Sequence, residues 1–98
     1  MEKVDFLSQA IANVTEKIRK ESGLSYQKFA DFARMSKAHV KQIEKAERGA
    51  TLNSLYLIAD AVRLSPVELV NQIEGERQRL MRQAASKDSL QSGKPSQP

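Results

Sequence analysis

Five side chains between residues 37 and 45 could act together chemically: Lys37, His39, Lys41, Gln42 and Lys45. Each carries a hydrogen-bond donor. On a helix they border a narrow apolar seam of Val40 and Ile43, too little apolar surface for the segment to be fully buried. A short helix anchored by two apolar residues, with donors turned outward, suits a DNA groove, where base edges offer acceptors. The plainer alternative is a solvated basic face, which is common.

Catalysis is poorly served by the same inventory. His39 is the only histidine and there is no cysteine. That leaves no disulfide, thiolate metal site or cysteine nucleophile, a poor metal ligand set and no catalytic triad. The four glycines are scattered, so none forms a phosphate-cradling loop. The carboxylates have lysine or arginine neighbours, and no nucleophile–base pair stands out. The sequence predicts a protein that is not an enzyme and that needs no metal or cofactor.

The donor-bearing segment must be positioned by its neighbours. Ser25 and Ser36 are each placed as an N-cap, since a serine hydroxyl can accept a bond from an amide of the first turn. Between them Phe29, Ala30 and Ala33 share one helical face. Upstream, Phe6, Leu7, Ala10, Ile11, Val14 and Ile18 alternate at three and four residues, which predicts a core helix from Asp5 to about Glu21. Asp5 is expected to cap its start and Gly23 to end it in the left-handed conformation. Downstream, Thr51 or Asn53 can cap a helix that is apolar nearly all round (Leu52, Leu55, Tyr56, Leu57, Ile58, Ala59, Val62). Such a helix is central to the core or buried on two sides, the second case pointing to a dimer. Ser65, Pro66 and Glu68 form a start signal for a last helix, with a capping box expected at Glu68. That helix is expected to run past Gly75 to about Ala85. Phe29, Phe32 and Tyr56 read as core or near-core aromatics. The organisation predicted is a domain over 1–75, a helical extension over 76–85 and a disordered polar tail over 86–98.

Charge is distributed unevenly. The formal net charge is +4. Residues 23–50 carry six basic against three acidic side chains, and residues 76–98 carry five against two, so each stretch is +3. Residues 1–22 balance, and residues 51–75 are −2, with one basic against three acidic. Positive charge on the central stretch and the C-terminal end is the footprint of polyanion contact. The charged start M-E-K-V-D-F-L is followed by no apolar run long enough for a signal peptide or membrane span. No membrane partner is expected, and a cytoplasmic location is.

With these elements placed, the chain resembles the Cro/phage-repressor (XRE-type) helix-turn-helix family. The resemblance rests on I-R-K-x-x-G-L-S at 18–25, F-A at 29–30, M-S-K at 35–37, V-K-Q-I-E at 40–44, L-x-x-L-x-x-I-A at 52–59 and L-S-P-V-E-L at 64–69. The segment E-R-G-A-T-L-N-S-L-Y-L-I is similar to small controller proteins of restriction–modification systems. The resemblance implies an all-α fold of five helices. It departs from the family at Arg34, where glycine usually forms the motif's corner, at Tyr26, where glutamine usually binds a phosphate, and at Ala46, where glycine usually follows.

Carried over position by position, the resemblance implies that Lys37, Ala38 and Gln42 face base edges, with His39 and Lys41 beside them. Lysine can donate to guanine, glutamine can pair with adenine and alanine can touch a thymine methyl. Tyr26, Gln27, Ser36, Lys45 and Arg48 are implied to hold phosphates and fix register. Arg19 and Glu44 occupy positions of a family ion pair joining the first helix to the recognition helix. The function implied is sequence-specific binding of double-stranded DNA by a transcriptional regulator, a homodimer through 52–63 and 66–74 on an inverted-repeat operator. Such a protein would be nucleoid-associated when bound. An antitoxin using 76–98 for a protein partner, or an adaptor that lost DNA contact, are the alternatives.

Overall fold

The computed structural model describes the backbone of residues 2–96 and the side chains of residues 2–86. Five helices follow one another, with no strand among the described residues: α1 (Leu7–Glu21), α2 (Tyr26–Ala33), α3 (Lys37–Glu44), α4 (Leu52–Ala61) and α5 (Pro66–Ser96).

Four of the five start where a hydroxyl can accept an amide. Ser25 Oγ accepts from Lys28 N at 3.2 Å, Ser36 Oγ from His39 N at 3.0 Å, Thr51 Oγ1 from Ser54 N at 3.0 Å and Ser65 Oγ from Glu68 N at 3.1 Å. Each bond satisfies one of the orphan donors of a first turn, worth about 1 kcal/mol. The exception is α1. Its entry residue is Phe6, in the left-handed region at φ 65°, with no side-chain cap. Leu7 N–H donates instead to Val4 O at 3.2 Å. The backbone closes that turn itself, so Asp5 is not the cap.

The ends of α1 to α4 share one device. At each, a residue with φ near +60° is followed by one whose amide reaches five residues back. Leu24 N bonds Arg19 O, Met35 N bonds Ala30 O, Glu47 N bonds Gln42 O and Leu64 N bonds Ala59 O, all within 2.9–3.1 Å. The left-handed residues are Gly23, Arg34, Ala46 and Arg63. This pairing satisfies terminal carbonyls that would otherwise lack donors. Leu24, Met35 and Leu64 then tuck their side chains against the core, the apolar contact that accompanies such a turn.

Packing follows from the apolar stripes. α1 lies against α3 and α5, α2 against α3 and α4, and α4 against α5. Phe29, Val40, Ile43, Ile58 and Leu69 are fully enclosed, with Ile11, Val14, Ile18 and Ile73 completing the centre. The motif pair α2–α3 is therefore clasped between α1 and α4.

Three aromatics depart from the sequence expectation. Phe6, Phe32 and Tyr56 are 40%, 56% and 54% exposed. Phe6 stands in the entry turn, outside α1. Phe32 rims a shallow cleft with Asp60, Ala61 and Arg63, and Tyr56 sits on the outer face of α4. The period of a single sequence marks which residues share a face. It does not say whether another element covers that face.

α5 passes through Gly75 without interruption. Its middle is tied to α1 because Asn13 Nδ2 donates to Glu76 Oε2 at 2.7 Å, while Arg79 Nη2 bonds the same oxygen at 2.6 Å. The Arg79 hydrogen bond, helped by Asn13, holds the Glu76 carboxyl at about 2, well below its ordinary 4.5. Leu80 packs against the core from beyond this point. The helical backbone continues to Ser96, past the end expected near Ala85; no glycine or proline intervenes between Gly75 and Gly93. The disordered tail expected over 86–98 falls mostly on residues whose side chains lie outside the description, and residues 97–98 lie outside it altogether.

Candidate nucleic-acid interface

α3 carries the site. Its inner face is fixed by Val40 and Ile43, 1% and 0% exposed. A helix held by these two residues cannot turn over, so its other side must face outward. Lys37 and Ala38 are exposed in the first turn, His39, Lys41 and Gln42 lie along the open side, and Lys45 is exposed at the C-terminal cap. All six expected groups on this helix thus come to one element. Ser36 uses an oxygen lone pair on His39 N, which leaves its hydroxyl proton available as a donor. The N-terminal end of α3 accordingly presents a lysine, a hydroxyl and free first-turn amides, a combination that favours an anion.

The corner between α2 and α3 keeps its tight form without glycine. Arg34 adopts φ 56°, ψ 45°, and its guanidinium reaches Asp60 on α4 at 3.5 Å, both side chains being well exposed. An exposed pair of this length contributes ~0–1 kcal/mol, which only partly offsets the left-handed backbone.

α3 is aimed by a buried ion pair. Arg19 Nε donates to Glu44 Oε2 at 2.8 Å and Arg19 Nη2 to Glu44 Oε1 at 3.1 Å. The two side chains are 9% and 2% exposed. A third donor, Arg19 Nη1, reaches Leu24 O at 3.0 Å, so the guanidinium joins α1, the α1–α2 turn and α3. The Glu44 carboxylate, as hydrogen-bond acceptor, holds Arg19 more firmly protonated than usual, against the opposing effect of burial.

Tyr26 belongs to the same assembly. Its ring centre lies 4.1 Å from the Arg19 guanidinium carbon and 5.3 Å from the Lys41 ammonium. Both lie within cation–π range. Tyr26 therefore touches one cation of the internal pair and one of the candidate DNA-facing residues.

The remaining expected phosphate ligands are placed less uniformly. Gln27 is exposed on α2, but its amide donates to Asp31 Oδ1 at 2.9 Å. Arg48, exposed in the α3–α4 connection, donates from Nη1 to Gln42 Oε1 at 3.2 Å. The Tyr26 stack and the Arg48–Gln42 bond are not legible in the sequence. The first joins residues from three helices. The second spans six positions that meet only because the chain doubles back after α3. Glycine at position 46 would have signalled that reversal; alanine hides it.

No cluster of metal-ligating side chains occurs among the described residues. No helix among them is long and apolar enough to cross a membrane.

Comparisons with known proteins place this arrangement. The helix-turn-helix family profile, of the Cro/C1 type, matches residues 16–69, which include the whole of α2 to α4. A comparison with curated protein sequences returns no match. Among solved structures, the restriction–modification controller protein C.Esp1396I, as a tetramer in complex with its natural 35 base-pair operator, is similar at a TM-score of 0.69 and 27% identity, over 76% of this chain and 97% of that one. The wild-type form of the same controller protein, solved separately, gives 0.68 and 27%, over 74% and 96%. The clp gene regulator ClgR from Corynebacterium glutamicum has the same fold at a TM-score of 0.76 and 19% identity, over 100% of this chain and 99% of that one.

Proposed function

This chain belongs to the Cro/C1-type helix-turn-helix family of DNA-binding transcription regulators, and on that footing we propose that it reads a specific duplex sequence as a homodimer on an inverted-repeat operator. The observation that carries the reading is α3 itself: two buried residues hold it, and lysine, histidine and glutamine line its open side. Lys37, Ala38, His39, Lys41 and Gln42 face the base edges of the major groove. Ser36, Tyr26, Lys45 and Arg48 hold phosphates on either side, with Gln27 contributing once it leaves Asp31. The similarity to a controller protein solved on its operator supports the same use of the fold.

Self-association rests on a different surface. Leu52, Tyr56, Val67 and Val70 are 65%, 54%, 72% and 44% exposed, and they line one shallow groove with Pro66 and Asn71. Apolar side chains gathered this way mark an interaction site more often than a bare monomer surface. A homodimer on such an operator places its two recognition helices about one helical turn, ~34 Å, apart along the DNA. An adaptor that has lost DNA contact would draw support only from the two departures at Arg34 and Tyr26. Arg34 leaves the motif's turn intact and Tyr26 is built into the ion pair beneath α3, so neither favours it.

Selection of bound duplexes from a random pool, with the complex sized in parallel, tests the proposal. An enriched inverted repeat bound by two chains is expected. The Lys37→Ala, Gln42→Ala double variant should lose the enrichment while keeping its helical content. A wild-type pool that stays random sinks the DNA reading. A monomer with DNA at micromolar concentration sinks the dimer alone.

A further inference from the structure

The hydrogen bond between Arg48 and Gln42 has a consequence for which base is read. Arginine has donors only, so the one Gln42 side-chain atom it can hold is the carbonyl oxygen. Arg48 Nη1 meets Gln42 Oε1 at 3.2 Å. The backbone brings the two together: Ala46, at φ 58°, reverses the chain after α3. Ala46 N then bonds Ile43 O at 3.1 Å and Glu47 N bonds Gln42 O at 3.0 Å. Residue 48 is thus returned to the side of the residue whose carbonyl anchors the turn.

Glutamine recognises adenine by using both ends of its amide, donating to N7 and accepting from N6. The Arg48 bond takes one of the two lone pairs of the Gln42 oxygen. The guanidinium's positive charge beside the other disfavours a second donor such as adenine N6, so the two N–H donors of Gln42 are the end turned to the base. We infer that Arg48 biases Gln42 to read through its donors, which selects a base with major-groove acceptors, guanine foremost through N7 and O6, over adenine. Cytosine, which offers only its N4 donor there, is rejected. The other Arg48 donors stay free for a neighbouring phosphate. Arg48 is then a positioning residue for base choice as well as a phosphate ligand. The inference rests on the proposed entry of α3 into the major groove and names what one of its residues reads.

The test repeats the duplex selection with the full chain in three forms: wild type, Gln42→Ala and Arg48→Ala. Arg48 is exposed, so its variant should melt at the wild-type temperature, which is checked first. The position that loses its preference in Gln42→Ala is the one Gln42 reads. Wild type should carry guanine there. Arg48→Ala should shift that position toward adenine by about tenfold and leave the other positions as they were. A uniform loss of affinity from the missing phosphate contact would accompany the shift without producing it. Adenine already preferred by wild type, an unshifted preference in Arg48→Ala, or no position lost in Gln42→Ala would each overturn the inference and leave DNA reading in place. A random wild-type pool would overturn the DNA reading itself.

Discussion

At the scale of single residues, the helix ends are the most informative feature. Arg34, Ala46 and Arg63 all occupy the left-handed region, where a side chain costs ~1–2 kcal/mol relative to glycine. Ala46 is the cleanest place to measure this, because its methyl forms no ion pair. Ala46→Gly should raise stability by about 0.5–1 kcal/mol, after allowing for the greater freedom glycine brings to the unfolded chain. A thermal melt should rise by a few degrees. Arg34→Gly should gain less, since it also loses the contact with Asp60. A lower melting temperature for Ala46→Gly would mean that residue 46 does not hold a positive φ. The starts of α2 to α5 are legible in the sequence because serine and threonine caps act within three residues of themselves. Three of the four left-handed ends are not. Their conformation is imposed by the packing of Met35 and Leu64 and by the turn at Glu47, and no local residue type announces it.

At the scale of elements, α3 depends on α1 more than on its own burial. The helix has eight residues, too few to be stable alone, and its outer side must stay polar to meet its partner. Arg19 and Glu44 supply the missing constraint through a two-pronged, nearly dry contact. Glu44→Ala leaves the Arg19 guanidinium with only Leu24 O and the Tyr26 ring. The expected loss is ~3–5 kcal/mol in a denaturant titration, a large share of the stability of a domain this size. Glu44→Gln, which keeps the shape and one acceptor, should lose less. A Glu44→Ala midpoint equal to wild type would mean that the pair does not hold α3. Both residues lie at family positions, so the resemblance points to them. The part played by Tyr26 is hidden, because a tyrosine at a helix start reads equally well as a phosphate ligand or as packing. Only the fold puts its ring between Arg19 and Lys41.

At the scale of the whole molecule, the question is where the DNA-binding unit stops. The composition shift near residue 75 invites a boundary there, and the packing argues against it. Glu76 bonds Asn13 of α1, and Leu80 closes the core beside it. A chain ending at 75 loses both. It should melt well below wild type, by the ~2–4 kcal/mol that the lost apolar burial and the severed polar tie represent. A chain ending at Ser86 keeps every contact described and should melt with the full-length protein. The comparison of Ser86-truncated and full chains on the selected operator then isolates the tail. The stretch beyond Ser86 contributes Lys87 and Lys94 against Asp88, a small positive excess. If the proposed interface on α2, α3 and Arg48 is sufficient, the two chains share one affinity and one slope of log K against log salt. A slope shallower by about one in the truncated chain would place one of those lysines on a phosphate. Unchanged DNA binding would leave the tail free for the protein partner that an antitoxin reading requires.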